Sequence, residues 1–244
     1  MGRFIIILTL ATVVGASATD QVRGQQGPGI VSLSDSSFES SDSSPQTTHA
    51  GLVGKRYFEA RYLHLRSTDS AGFNESVQGF DVTFNTPVPW TDQLIPGLGT
   101  DAFINYERLA TSESTFGGSV DLTLQTVEGG LTLHGAFESP IRPFLQVGAM
   151  HMVTEVDFSS SAFSSDFAMN HTRVLARPGI EFDIDQDVAI RSTLDIDTED
   201  RFNDSTAGIE LIVGLDHNAY LRGGVLIPLE GRAYIIAIGG GLSF

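Results

Sequence analysis

The stretch "AYIIAIGGGLSF", Ala233 to Phe244, alternates without a break. Tyr234, Ile236, Ile238, Gly240, Leu242 and Phe244 fall on one side of an extended chain. Ile235, Ala237, Gly239, Gly241 and Ser243 fall on the other, smaller side. A period of two marks a strand, because successive side chains leave the pleat in opposite directions. The same period recurs upstream. In "STAGIELIVGLD", Ile209, Leu211, Val213 and Leu215 oppose Glu210. In "VAIRSTLDID", Val188, Ile190, Leu194 and Ile196 oppose Arg191, Thr193 and Asp195, and in "HTRVLARPGIEFDI", Val174, Ala176, Ile180 and Phe182 oppose Arg173, Arg177, Glu181 and Asp183. No long amphipathic helix competes, so the domain is expected to be all-β, antiparallel and built from hairpins.

Composition narrows the setting. The chain has 244 residues, 30 acidic against 14 basic, and a net charge of -16. Nucleic acid is excluded as a partner, because phosphate binding needs clustered Lys and Arg. With no cysteine there is no disulfide and no thiol nucleophile. The start, "MGRFIIILTLATVVGASATD", joins one base, an apolar run and the small residues Ala16-Ser17-Ala18. That pattern reads as a cleaved export signal over residues 1–18. Residues 19–50, rich in Ser, Asp, Gln and Gly, read as a disordered lead-in, and residues 51–244 as the folded domain. No later window holds the 18 or so consecutive apolar residues of a membrane helix, though β-strands that cross a membrane escape such a test.

Connections favour a barrel over a sandwich. Tight ones ("ESPIRP", "DIDQD", "LDHN") alternate with longer polar segments at 151–171 and 195–205, which is the arrangement of a membrane barrel. In 119–138, Leu122 and Leu124 set one phase, while Leu131, Leu133 and Phe137 set the other. A slip at Gly129-Gly130 predicts a β-bulge within one long strand. Strands are then expected near 52–65, 77–86, 102–110, 119–138, 142–151, 171–184, 188–196, 206–215, 218–227 and 233–244. Ten is the central count, within a range of eight to twelve, and an even number brings both ends to one side.

The final strand, with Ile236, Ile238, Gly240, Leu242 and Phe244 at alternate positions, resembles the C-terminal assembly signal of bacterial outer-membrane β-barrels; Gly240 stands where a larger residue is usual. "IRPFLQVGAM" is similar to the turn-and-strand of small porin-like barrels. The resemblance covers about residues 50–244. It implies an antiparallel up-and-down transmembrane barrel in the outer membrane, in contact with lipid and lipopolysaccharide and inserted by the barrel-assembly machinery.

If the apolar faces meet lipid, their opposites line the lumen. The candidates are Glu59, Arg61, Asp81, Asn105, Glu107, Asp121, Gln125, Arg173, Arg177, Glu181, Asp183, Arg191, Asp195, Glu210 and Arg222. Two functions fit such a lining: a narrow porin-like path for ions or small solutes, or an ion-paired plug in a barrel that works through its outer loops. Catalysis is not expected, because the inward histidine, His134, lacks a serine or a paired acid at a strand end. No cofactor and no metal is expected either. "DIDTEDRFND" fails the EF-hand pattern, with Asp200 where glycine is required. His151, Glu155, Asp157 and His171 have only weak metal spacing. Tyr57, Phe58, Tyr62, Phe103, Tyr106, Phe137, Phe144, Tyr220 and Tyr234 are expected to form aromatic girdles.

Overall fold

A computed structural model describes residues 50–67, 76–89, 91, 95, 97–115, 118–135, 139–160, 163–196, 205–215, 218–229 and 233–244. The export signal and almost all of the lead-in lie outside the described residues. The strands are β1 (Tyr57–Ser67), β2 (Ser76–Pro87), β3 (Leu98–Thr115), β4 (Gly118–Gly135), β5 (Ile141–Ser160), β6 (Ser164–Asp183), β7 (Val188–Asp195), β8 (Thr206–Gly214), β9 (Ala219–Pro228) and β10 (Ala233–Ser243). Each pairs antiparallel with its neighbours in sequence, and β1 pairs with β10 from Tyr57↔Ser243 to Ser67↔Ala233, so the barrel of ten strands is closed. Closure leaves no sheet edge along that seam.

Sides sort by parity. Phe58, Tyr62, Phe80, Phe84, Ile180, Phe182, Ile209, Leu211, Leu221, Ile238 and Leu242 point outward and are exposed. Between them on the same strands, Glu59, Asp81, Glu181, Arg191, Glu210 and Arg222 point inward and are buried. The outward row of β8 and its turn, Ile209 to Leu215, is wholly apolar. Such rows, repeated around the wall, make a greasy belt, the inverse of a soluble protein's polarity.

Three expectations change. No bulge interrupts β4: its register runs unbroken against β3 from Leu98↔Gly135 to Thr115↔Gly118, and against β5 from Gly118↔Ser160 to His134↔Phe144. The leucines change sides because the polarity of the wall inverts. Near Leu131 the apolar residues face out. Near Leu124 they face in, packing with Leu63, Leu65, Val77, Leu109, Ile235 and Ala237. Second, residues 151–171 are largely strand, not loop. Here β5 and β6 are each 20 residues long and continue as a hairpin. Met152, Val156, Phe167 and Met169 alternate there with polar neighbours, enough to sustain a sheet. Along this extension β6 has no partner on its far side among the described residues, since β7 pairs only with Gly179–Asp183 and, by a single bridge, Ala176. Third, β1 begins at Tyr57 and not near 52, because Ala50 to Arg56 turn across the mouth of the barrel, with Lys55 N–H donating to the Leu52 carbonyl (3.2 Å).

Candidate functional site: the filled lumen

The interior is built in layers. At the end where both Ala50 and Phe244 lie, Ala50, Leu52, Tyr57, Ala189, Ile212 and Tyr220 form a buried cluster. At the other end stands the leucine-rich cluster around Leu63 and Leu109, with Met152 and Leu226 packed on it. Polar and charged side chains fill the middle. Burying them is tolerable only when each charge has a counter-charge and hydrogen bonds.

One network centres on β1. Arg61 forks onto both oxygens of Asp81 (3.0 Å each from Nε) and reaches Glu210. Glu59, fully buried, accepts from Arg222 Nη1 (2.9 Å) and from the Tyr220 hydroxyl (3.0 Å). Arg222 also grips Glu210, so three carboxylates and two guanidinium groups interlock. A second network joins Arg177 to Glu128 (2.8 Å), Asp195 (3.0 Å) and the Gln146 side-chain oxygen (3.1 Å). Bidentate guanidinium–carboxylate pairs of this sort fix geometry as well as charge.

The third network latches the mouth. Glu181, with no exposed surface, accepts from the backbone N–H groups of Leu52 (3.0 Å) and Val53 (3.2 Å) and from Arg142 Nη2 (3.0 Å). Arg142 also pairs with Asp183, and Arg191 lies 3.9 Å from Glu181 while its guanidinium stacks 4.4 Å from the Phe144 ring centre. At Gly51 a Cβ would run into Arg142 and Glu181, so only glycine lets the strap lie this close. Burial holds the Lys55 ammonium beside this mouth below the usual lysine range, partly countered by Glu181. Asp101 accepts from Gly54 N–H (3.0 Å) and its other oxygen lies 3.3 Å from His134 Nε2, so this histidine has the acidic companion that its sequence neighbourhood did not reveal.

Between the layers lies a cavity of about 90 Å³ bordered by Arg61, Asn105, Glu107, Arg177, Arg191 and Thr193. At about 30 Å³ per water it has room for about three molecules. Glu107 Oε1 and Arg191 Nε are buried without a hydrogen-bond partner among the described residues. Glu107 stands directly across from Asp81, a like-charged neighbour on β2.

Of the lumen candidates, Glu59, Arg61, Asp81, Asn105, Glu107, Arg173, Arg177, Glu181, Asp183, Arg191, Asp195, Glu210 and Arg222 have the inward parity. Asp121 and Gln125 do not. With no bulge in β4 their parity is reversed: Asp121 is exposed on the outer side, and Gln125 accepts from the outward Tyr106 hydroxyl (3.3 Å). The same error hid Glu128 and Thr126, which face in. An unbroken alternation of Leu124, Thr126 and Glu128 against Val127, Gly129 and Leu131 was the available signal. Arg142 was hidden in an assumed turn. The girdle also needs correction. Phe58, Tyr62 and Tyr106 face out, but Tyr57, Phe103, Phe144 and Tyr220 are interior. Phe137 lies outside the described residues. His151 and His171 occupy opposite faces, and among the described residues no three acidic or histidine groups converge to hold a metal.

No protein-family model matches the sequence, and no curated protein does. Among solved structures, the chain is similar to Ail, the attachment invasion locus protein of Yersinia pestis (14% identity, TM-score 0.38, covering 78% of this chain and 99% of that one). It is also similar to the translocator domain of the autotransporter NalP from Neisseria meningitidis (11%, TM-score 0.45, 78% and 88%). A third is the outer membrane protein OprG from Pseudomonas aeruginosa (13%, TM-score 0.38, 80% and 99%). At such values the fold stands on the chain's own strand pairing. That pairing makes it a closed antiparallel β-barrel of ten strands, greasy outside and charged within.

Proposed function

We propose that this chain is an integral β-barrel of a bacterial outer membrane, that its lumen is closed, and that it acts through the sheet rising beyond the belt. The membrane reading is supported by the belt. On β8 and its turn the outward positions from Ala207 to Leu215 are all apolar, a span that matches a hydrocarbon slab of about 25 Å, and the export-type start supplies a route to it. The mouth with the latch then faces the periplasm, and the β3–β6 extension faces outward.

One observation carries the closed lumen: apolar clusters fill the interior at both ends. Leu63, Leu109, Leu52 and Ile212 are each no more than 1% exposed. Water and ions cross such layers only if side chains move out of a close-packed arrangement. The extension, meanwhile, presents Phe158, Phe163, Phe167 and Met169 to solvent on the part of the β5–β6 hairpin that rises past β7. Exposed apolar side chains gathered on one hairpin are features of a binding surface. A second reading, slow passage of ions, draws support from the charged cavity alone.

Planar-bilayer recording of the refolded barrel separates the two. The closed barrel gives no discrete conductance steps while its gel mobility still shifts on heating. Reproducible steps that change with Arg177→Ala would refute closure.

A further inference from the structure

The buried networks leave some polar atoms aside. Glu107 Oε1, Thr126 Oγ1, Arg191 Nε and Arg222 Nε are buried without a hydrogen-bond partner among the described residues. The first two are neighbours. Glu107 of β3 stands directly across from Thr126 of β4, yet their side-chain oxygens do not bond to each other. On its other side Glu107 faces Asp81 of β2, whose carboxylate is taken by Arg61. Glu107 is only 9% exposed, and it borders the central cavity.

Charge around this cavity does not balance. The β1 network sets Glu59, Asp81 and Glu210 against Arg61 and Arg222, while Arg177 is shared by Glu128 and Asp195. With Glu107 added to one side and Arg191 to the other, six carboxylates border or flank the cavity against four guanidinium groups. An unpaired carboxylate in a water-poor interior is costly, and what it lacks is a cation.

We propose that the cavity holds one monovalent alkali cation, of the size of sodium or potassium, bound by Glu107 Oε1 and completed by neighbouring oxygens and water. The proposal rests on the closed lumen above, which keeps bulk water from solvating the carboxylate instead. Oxygen ligands border the same space: Asn105 beside Glu107 on β3, and Thr193, Asp195 and Thr206 across the lumen. The volume of about 90 Å³ takes one such ion with about two waters. A water that coordinates the ion keeps a lone pair for Arg191 Nε–H, so one occupant serves both the orphaned acceptor and the orphaned donor. A single free carboxylate suits a single charge. A divalent ion takes several acidic ligands, and no three converge among the described residues. An anion would enlarge the excess of negative charge. The cation ties the β1–β3 wall to the β7–β8 wall across the lumen.

The test is urea unfolding of the full-length chain folded in zwitterionic lipid vesicles. Sodium chloride, potassium chloride and choline chloride are the probes, with choline, too bulky for the cavity, holding ionic strength constant. Refolding in each salt lets the ion enter before the lumen closes. Above the dissociation constant, each tenfold rise in sodium or potassium should raise the wild-type midpoint by about 0.5 M urea. Glu107→Gln keeps the shape and removes the charge. Its midpoint should be equal in all three salts and, in choline, no lower than that of wild type; a Glu107 that merely braces the wall would lower it alike in every salt. A wild-type midpoint indifferent to the cation overturns the proposal, as does one that follows pH alone, which assigns a proton to Glu107. A midpoint that instead follows the exchange of chloride for gluconate overturns it in favour of an anion. Thallium(I), a potassium-sized ion, cocrystallised with wild type should give an anomalous peak beside Glu107, and its absence there overturns the site even where the variant does not refold. Planar-bilayer recording is read in parallel: conductance steps refute the closed lumen, whereas a silent, folded barrel indifferent to cations refutes only this site.

Discussion

Glu181→Gln is the most informative single change, since that carboxylate joins the strap to the wall. It has no exposed surface and accepts from Leu52 N–H, Val53 N–H and Arg142, with Arg191 3.9 Å away. Glutamine keeps the volume and one acceptor oxygen but removes the charge and an acceptor. Arg142 keeps Asp183, whereas Arg191 loses its only ion-pair partner among the described residues. Breaking a buried pair in this way costs about 3–5 kcal/mol, because the remaining charge stays out of water. With an unfolding slope of about 3 kcal/mol per molar urea, the midpoint should fall by about 1–1.7 M. Urea titration of the barrel folded in lipid vesicles, followed by tryptophan-independent circular dichroism, measures this. A midpoint shift under about 0.3 M, roughly 1 kcal/mol, would mean that water reaches Glu181 and that the mouth is open.

Other substitutions probe separate parts of the reading. Leu211→Arg places a charge on the outward row of β8, where the residue is 45% exposed. It should cost about 2–4 kcal/mol in lipid vesicles, against about 0.5 or less if water covered that face. Gly51→Val puts side-chain atoms where Arg142 and Glu181 lie, so the strap should detach. Limited trypsin digestion after Lys55 or Arg56 should then speed up about tenfold or more while the barrel stays folded, and an unchanged rate would contradict the latch. Asp121→Asn, on the exposed outer side, should change stability by no more than about 0.5 kcal/mol. A loss above about 2 kcal/mol would return Asp121 to the lumen.

Strand identity, strand count and the parity of eight of the ten strands were legible, because period-two alternation is a local property of the chain. Where one side of Ala233–Phe244 or Thr206–Gly214 is uniformly apolar, its direction follows without any partner. On β4, and along the upper parts of β5 and β6, the same reasoning failed. They cross from a region in which apolar residues face out to one in which they face in, so a continuous backbone carries a reversed pattern. Read locally, that reversal is indistinguishable from a bulge at Gly129-Gly130 or from a loop at 151–171.

The sequence by itself determined that the chain alternates, closes on an even set of hairpins and hides charge behind grease. Tertiary structure alone decided which charges meet. Glu59 and Arg222, or Glu181 and the strap at Leu52, are far apart in sequence, and their pairing depends on closure and on the tilt of the wall. It also decided that aromatics such as Tyr220 and Phe144 fill the lumen, since alternation tells a side chain which face to take but not whether lipid, water or another side chain waits there.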